Sequence, residues 1–216
     1  MLKAIIFDMD GLMIDSEVVT YEGYAISLKK RGYKDSREFY TTTLGTRPKT
    51  TYELYKQQYG NDIPFYDMLK EVHDYMEDVF EKEGIPIKNG LISLLNYLKE
   101  NNYKTIVATS SHKDRVMKIF DKADLHKYFD DYICGDEVIN GKPDPEIFLK
   151  ACEKLNIDVS EAIVLEDSEM GIQASYSANI KVICVPDMKY PSDKYKAMTL
   201  AVLNDLEAVL DYIKEL

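Results

Sequence analysis

Five short apolar runs recur along the chain, and between them apolar residues return every three to four positions. The runs are Ala4-Ile5-Ile6-Phe7, Thr105-Ile-Val-Ala108, Tyr132-Ile-Cys134, Ala162-Ile-Val-Leu165 and Lys181-Val-Ile-Cys-Val185. Each has strand length, and the first is rich in β-branched residues and bounded by charge and by Gly11. The intervening stretches have helical period. Leu91, Leu94, Leu95 and Leu98 share one face of a helix that ends near Asn101-Asn102. A second helix runs through Val116, Ile119 and Phe120, and a third opens at Asp144 as N-cap, with Pro145 first in the helix, and continues through Leu155. A fourth ends near Ala178, and Leu203, Leu206, Val209, Leu210 and Ile213 predict a C-terminal amphipathic helix. Strands alternating with helices mean βαβ units, hence a parallel sheet covered on both faces. The predicted class is α/β, a Rossmann-like three-layer core.

That alternation is interrupted once. From about residue 17 to 83 the pattern is helical, with no buried strand and with nine of the seventeen tyrosines. Tyr52, Tyr55 and Tyr59 fall at helical spacing, and Met68, Val72, Tyr75, Met76 and Val79 form a second stripe. These tyrosines read as a bundle core that buries rings and keeps hydroxyls wet. The expected organisation is a core of residues 1–16 and 84–216, with an inserted α-helical cap at 17–83.

Composition changes this picture little. A 45% hydrophobic, 30% charged chain is ordinary for a globular protein with a real core. The net charge of -11, without a run of Lys or Arg, argues against nucleic acid or an anionic membrane as partner. An anionic small molecule stays open, because a bound cation and one lysine reverse the field inside a pocket. Cys134, Cys152 and Cys184 have neither disulfide nor zinc-site spacing. With no leader-like or membrane-spanning run, a cytoplasmic setting is the expectation, and a monomer is the default.

The chemistry collects at the strand ends. Asp8 closes the first run and Asp10 follows two positions later, where side chains of an extended chain point the same way. Two carboxylates that close repel unless a cation lies between them or one holds a proton. Gly11 then permits a sharp turn. The second run ends in Thr109-Ser110-Ser111, the fourth in Glu166-Asp167-Ser168, and Lys142 sits in a Gly141-Lys-Pro-Asp-Pro turn. Open α/β sheets bind ligands beyond the carboxyl ends of their strands. Oxygen donors from Asp8, Asp167 and a backbone carbonyl suit Mg²⁺, which takes its remaining ligands from water and phosphate. Thr109 and nearby amides can donate to phosphate oxygens, and Lys142 offers a cation.

In this order the motifs resemble those of the haloacid dehalogenase superfamily, in its phosphatase and β-phosphoglucomutase-like branch with a helical cap. They are Asp8-Met9-Asp10-Gly11-Leu12, Thr109, Gly141-Lys142-Pro143-Asp144-Pro145 and Glu166-Asp167-Ser168 with Gly171-Ile172. The resemblance implies an aspartyl-phosphate on Asp8, with Asp10 as general acid and then base. It implies Mg²⁺ on Asp8, the Asp10 carbonyl and Asp167, with Glu166 either a direct ligand, the reading favoured here, or one shell out. It also implies that Lys142 ties Asp8 to the phosphate, and that Gly11, Ser110 and Ser111 line the phosphate site. The expected substrate is a small phosphate ester of a sugar or polyol.

A mutase of the same branch would need a His where Thr20 stands and an Arg in a GxxR stretch. The chain instead has Leu44-Gly45-Thr46-Arg47-Pro48-Lys49, in which Arg47 and Lys49 are candidates to grip the far end of a substrate. Glu17 is a further candidate for substrate contact, or simply a first-turn acid. Two readings of another class are a receiver-like signalling domain and a catalytically silent phosphate-binding module. The insertion and motif order disfavour the first, and the intact Asp8, Asp10, Lys142 and Asp167 disfavour the second.

Overall fold

A computed structural model describes residues 1–46 and 48–216. In chain order the elements are β1 (Ala4–Phe7), α1 (Ser16–Lys30), α2 (Arg37–Thr43), α3 (Pro48–Tyr59), α4 (Phe65–Glu83), α5 (Leu91–Glu100) and β2 (Lys104–Ala108). They continue as α6 (Lys113–Ala123), β3 (Asp131–Ile133), α7 (Glu146–Leu155), β4 (Ala162–Glu166), α8 (Glu169–Ser177) and β5 (Lys181–Cys184). The last are α9 (Asp193–Lys196), β6 (Ala201–Val202) and α10 (Leu206–Lys214). The chain divides into two compact units, one of residues 1–15 with 87–216 and one of residues 16–86.

The first unit is an α/β layer structure on a six-stranded sheet in the order β3-β2-β1-β4-β5-β6. All paired strands run parallel. The most interior strand is β1, and all four of its residues are fully buried. One face stacks Ala4, Ile6, Ile106, Val164 and Val182 against Phe148 and Ala151 of α7 and Ile172 and Ala174 of α8. On the other, Phe7 meets the edge of Phe129, which packs on Phe120 of α6. Strands run outward from β1 to one side as β2 and β3, then resume on the other as β4, β5 and β6. The switch point therefore falls between β1 and β4, where such sheets open a crevice at their carboxyl ends. The chain leaves and rejoins this unit at one place: Ile14 bridges Ile87, and the Lys88 N–H donates to the Met13 carbonyl.

The helical unit is held by aromatic packing. Tyr24, Tyr55 and Phe65 lie within 5.0–6.4 Å of one another by ring centroid, and Tyr40 joins Tyr24 at 6.0 Å. A polar clamp joins α1 to α4, where Arg31 donates to both oxygens of Glu71 and the Ser27 hydroxyl donates to Oε2.

Three local expectations need correction. Helix α7 begins at Glu146 with Pro145, not Asp144, as its N-cap, and Asp144 one residue earlier accepts the Glu146 N–H at 3.0 Å. Leu203 lies outside α10, which starts at Leu206 after Asp205 accepts the Ala208 N–H. The stretch before it adds β6, a two-residue strand on β5 too short to show any periodicity.

Candidate active site

The carboxyl end of β1 delivers Asp8 into a nearly buried position. Its N–H is satisfied by the Leu165 carbonyl of β4, which leaves the side chain to face outward from the strand end. Asp8 is 7% exposed and Glu166, at the end of β4, is wholly buried. Between them stands the ammonium of Lys142. It donates to Asp8 Oδ1 at 2.5 Å, Glu166 Oε1 at 2.6 Å and the Ala108 carbonyl at 3.1 Å, so its three donors have three acceptors. The face of Phe148 lies 5.0 Å from the same nitrogen. Sequence positions 8, 142 and 166 thus meet at one cation.

Two buried carboxylates against one ammonium leave the pocket short of positive charge. Burial pushes the Asp8 carboxyl up to about 7; Lys142 pulls it down, while Glu166 and Asp10 push it further up. For Lys142 burial acts to lower the value, but the Asp8 and Glu166 carboxylates outweigh it and hold the ammonium above its ordinary range.

Glu166 is occupied at both oxygens. Oε1 takes Lys142, and Oε2 takes the N–H and the hydroxyl of Ser168, each at 2.9 Å. Ser168 in turn caps α8 by accepting the Gly171 N–H. A Cβ on Gly171 would stand 1.8 Å from Glu166 Oε1, so the helix start leaves just enough room for the carboxylate.

Asp10 is held elsewhere. Arg115 Nη1, in the first turn of α6, donates to both of its oxygens at 2.7 Å, and the Ser111 hydroxyl donates to Oδ2 at 2.7 Å. The two acids of the DxD pair are therefore separated onto two cations, Lys142 and Arg115. Gly11 follows with φ +80°, and a Cβ there would lie 2.5 Å from Asp167 Oδ2. Both the backbone angle and the close approach of Asp167 demand glycine. Thr109 is buried at the end of β2; its N–H donates to the Ile133 carbonyl and its Oγ1 accepts the Ser111 N–H. Ser110 is exposed, with its carbonyl packed where a side chain on Gly135 would go.

Asp8, Asp10, Gly11, Thr109, Ser111, Lys142, Glu166 and Asp167 thus gather at the sheet's carboxyl end. In the helical unit Lys49 is exposed in the first turn of α3, and Glu17 accepts the Tyr40 hydroxyl at 2.6 Å. Arg47 lies outside the described residues. Two participants went unseen in the sequence. Arg115 sits four residues beyond Ser111, one helical turn on, which was the available signal. Asp187 stands two residues past the end of the fifth apolar run; its Oδ1 takes Lys88 at 2.5 Å, and its buried Oδ2 lies 3.5 Å from the Cβ position of Gly11.

The donor chemistry fits a small hard cation: carboxylates of Asp8 and Asp167 beside the turn, in a pocket with excess negative charge. Among the described residues no three acidic, imidazole or thiol groups are preassembled about one point. A cation that keeps several waters and takes phosphate oxygens needs few protein ligands.

An α/β core with a lysine-bridged aspartate at its switch point defines the class, and comparison with known proteins agrees. Residues 5–185 match the family model described as haloacid dehalogenase-like hydrolase, and the chain belongs to that family. A phosphorylated carbohydrates phosphatase of Thermotoga maritima is 31% identical over 84% of each chain. A Drosophila melanogaster protein provisionally named pseudouridine-5'-phosphatase is 28% identical over 94% of this chain and 90% of its own. The crystal structure of a Thermotoga maritima protein provisionally assigned as a β-phosphoglucomutase covers all of both chains at 29% identity, with a TM-score of 0.81. Within the family this chain is a phosphatase, a hydrolase of phosphoric monoesters.

Proposed function

We propose that the chain hydrolyses a small sugar or polyol phosphate through a covalent phosphoryl group on Asp8. The observation that carries this is Lys142 bridging Asp8 and Glu166 at the end of the central strand. The ammonium fixes one Asp8 oxygen and leaves the other to attack phosphorus in line. As the Asp8–phosphorus bond forms and the ester bond breaks, Asp10 passes its proton to the departing alkoxide. Asp10 then takes a proton from water, whose oxygen bonds phosphorus as the Asp8 bond breaks. Thr109 and the backbone around Ser110 and Ser111 orient the phosphoryl oxygens, and Lys142 offsets the charge that develops there.

Asp8, Asp167 and the Asp10 carbonyl would hold Mg²⁺, which when bound supplies charge neutralisation at the phosphoryl oxygens. Glu166, which accepts from Lys142 and Ser168, is either a further ligand, the reading favoured from the sequence, or one shell out. The likeness to the carbohydrate phosphatase supports a sugar substrate. Mutase activity is the second reading, favoured by the structural likeness to the provisional β-phosphoglucomutase.

The test is phosphate release from hexose, pentose, polyol and nucleoside monophosphates, each with Mg²⁺ and with EDTA, for the wild type and Asp8→Asn. Release that requires both Mg²⁺ and Asp8 is the expected result. Glucose 6-phosphate made from β-glucose 1-phosphate without free phosphate would establish the mutase instead. Undiminished release by Asp8→Asn would overturn the nucleophile.

A further inference from the structure

Arg115 has no counterpart in the motifs, yet it makes the densest polar contact of the site after Lys142. Its Nη1 reaches Asp10 Oδ1, Asp10 Oδ2 and Ser111 Oγ, each at 2.7 Å. Ser111 closes the triangle by donating to Asp10 Oδ2. The Arg115 and Asp10 side chains are 31% and 25% exposed, within reach of solvent. Ion pairs at such exposure add little to stability, so the arrangement is poorly explained as a structural brace. What it does is restrain a short side chain from two sides. Asp10 follows the last residue of β1 by only three positions and precedes a left-handed glycine.

We infer that Arg115, together with Ser111, is a positioning residue that aims the Asp10 carboxyl at the leaving-group oxygen. This rests on the proposed role of Asp10 as general acid and base. Ser111 lies on the segment whose N–H is already tied to Thr109 Oγ1, so Asp10 is held on the side of the site that faces the phosphate loop. While Asp10 carries the transferable proton on one oxygen, the other keeps the guanidinium. When the ester bond breaks, the proton moves from that first oxygen to the alkoxide, and the freed carboxylate is held by both contacts until it takes a proton from water. A general acid contributes about 10²–10⁴-fold, and a displacement near 1 Å costs on the order of 10²-fold.

The consequence is selectivity by leaving group. Benzyl phosphate expels a strongly basic alkoxide that must be protonated, whereas p-nitrophenyl phosphate, of similar shape, expels a stable phenolate. Arg115→Ala should lower kcat on benzyl phosphate by about 10–100-fold and on p-nitrophenyl phosphate by less than about threefold. Arg115→Lys should recover part of the benzyl phosphate rate, since one ammonium can replace one contact. In an Asp10→Asn background Arg115→Ala should add little, because the acid it aims is gone. Circular dichroism and Tm of each variant check that it is folded.

An equal loss on both substrates, or no loss on benzyl phosphate, would overturn the inference while leaving the reading of Asp10 intact. If Asp10→Asn itself fails to discriminate between the substrates, or the wild type hydrolyses neither, the underlying reading falls and this inference falls with it.

Discussion

Burial makes Asp8 costly to ionise in the folded chain, and Lys142, which also serves a second buried carboxylate, only partly offsets it. Its carboxyl is raised from 3.8 to about 7, chiefly by burial. The folded chain therefore holds this proton more tightly than the unfolded chain does. The stability it contributes is fully present below about pH 4 and is lost as pH rises through about 7. In EDTA, Asp8→Asn should melt above the wild type at pH 8, with the gap closing toward pH 4, even though its turnover falls by about 10³-fold or more. Equal melting temperatures at pH 8 would contradict the burial argument. Gly171 gives a second prediction at this scale. A methyl group there would meet Glu166 Oε1 at 1.8 Å, and neither the buried carboxylate nor the start of α8 has room to retreat. Gly171→Ala should destabilise by about 1–3 kcal/mol, read as a lower urea midpoint with an unchanged m-value.

Among elements, the α1–α4 clamp of the helical unit is sensitive to pH. Hydrogen bonds from Arg31 and then Ser27 hold the Glu71 carboxyl down to about 2. A lowered value means stability that is present above the ordinary value of 4.5 and is lost as pH falls toward 2. Glu71→Gln should therefore cost stability at pH 7, by about 1 kcal/mol at most, given a side chain open to solvent and screened by salt. The penalty should shrink as the buffer is brought below pH 4; a constant penalty down to pH 2 would show that shape, not charge, matters there. Apolar periodicity made the elements of the α/β unit legible because β1, β2, β4 and β5 each have a buried run, and α5, α6 and α7 each turn one apolar face inward. It failed at β6, whose two residues carry no period, and it extended the last helix back to Leu203 because an apolar residue in a loop is indistinguishable from one on a helix face.

For the whole molecule, the excess negative charge at the switch point makes cation binding and stability one question. Mg²⁺ that binds the folded chain alone should raise its Tm with concentration, as RT ln(1 + [L]/Kd) requires. A rise of several degrees in the wild type, and a much smaller one in Asp167→Asn, is the expected differential-scanning result. The same rise in both would remove Asp167 from the ligand set. Family membership and the α/β sheet agree with the motif order read along the chain, since Asp8, Thr109, Lys142 and Glu166 each stand at a strand end or in the turn before a helix.

By itself the sequence determined the alternation of strands and helices, the helical interruption and the residue types at the strand ends, because periodicity and punctuation are local properties of the chain. The tertiary structure alone decided which charges meet. Nothing in the spacing of Asp8, Lys142 and Glu166 says that one ammonium must serve both acids. Nothing near Asp10 in sequence says that its partner is Arg115, 105 positions away. Those pairings come from strand order, which places the ends of β1, β2 and β4 side by side. The same packing sets Glu166 against Lys142 and Ser168 and sets Asp167 against Gly11, although the two acids are adjacent in the chain and of one chemical kind.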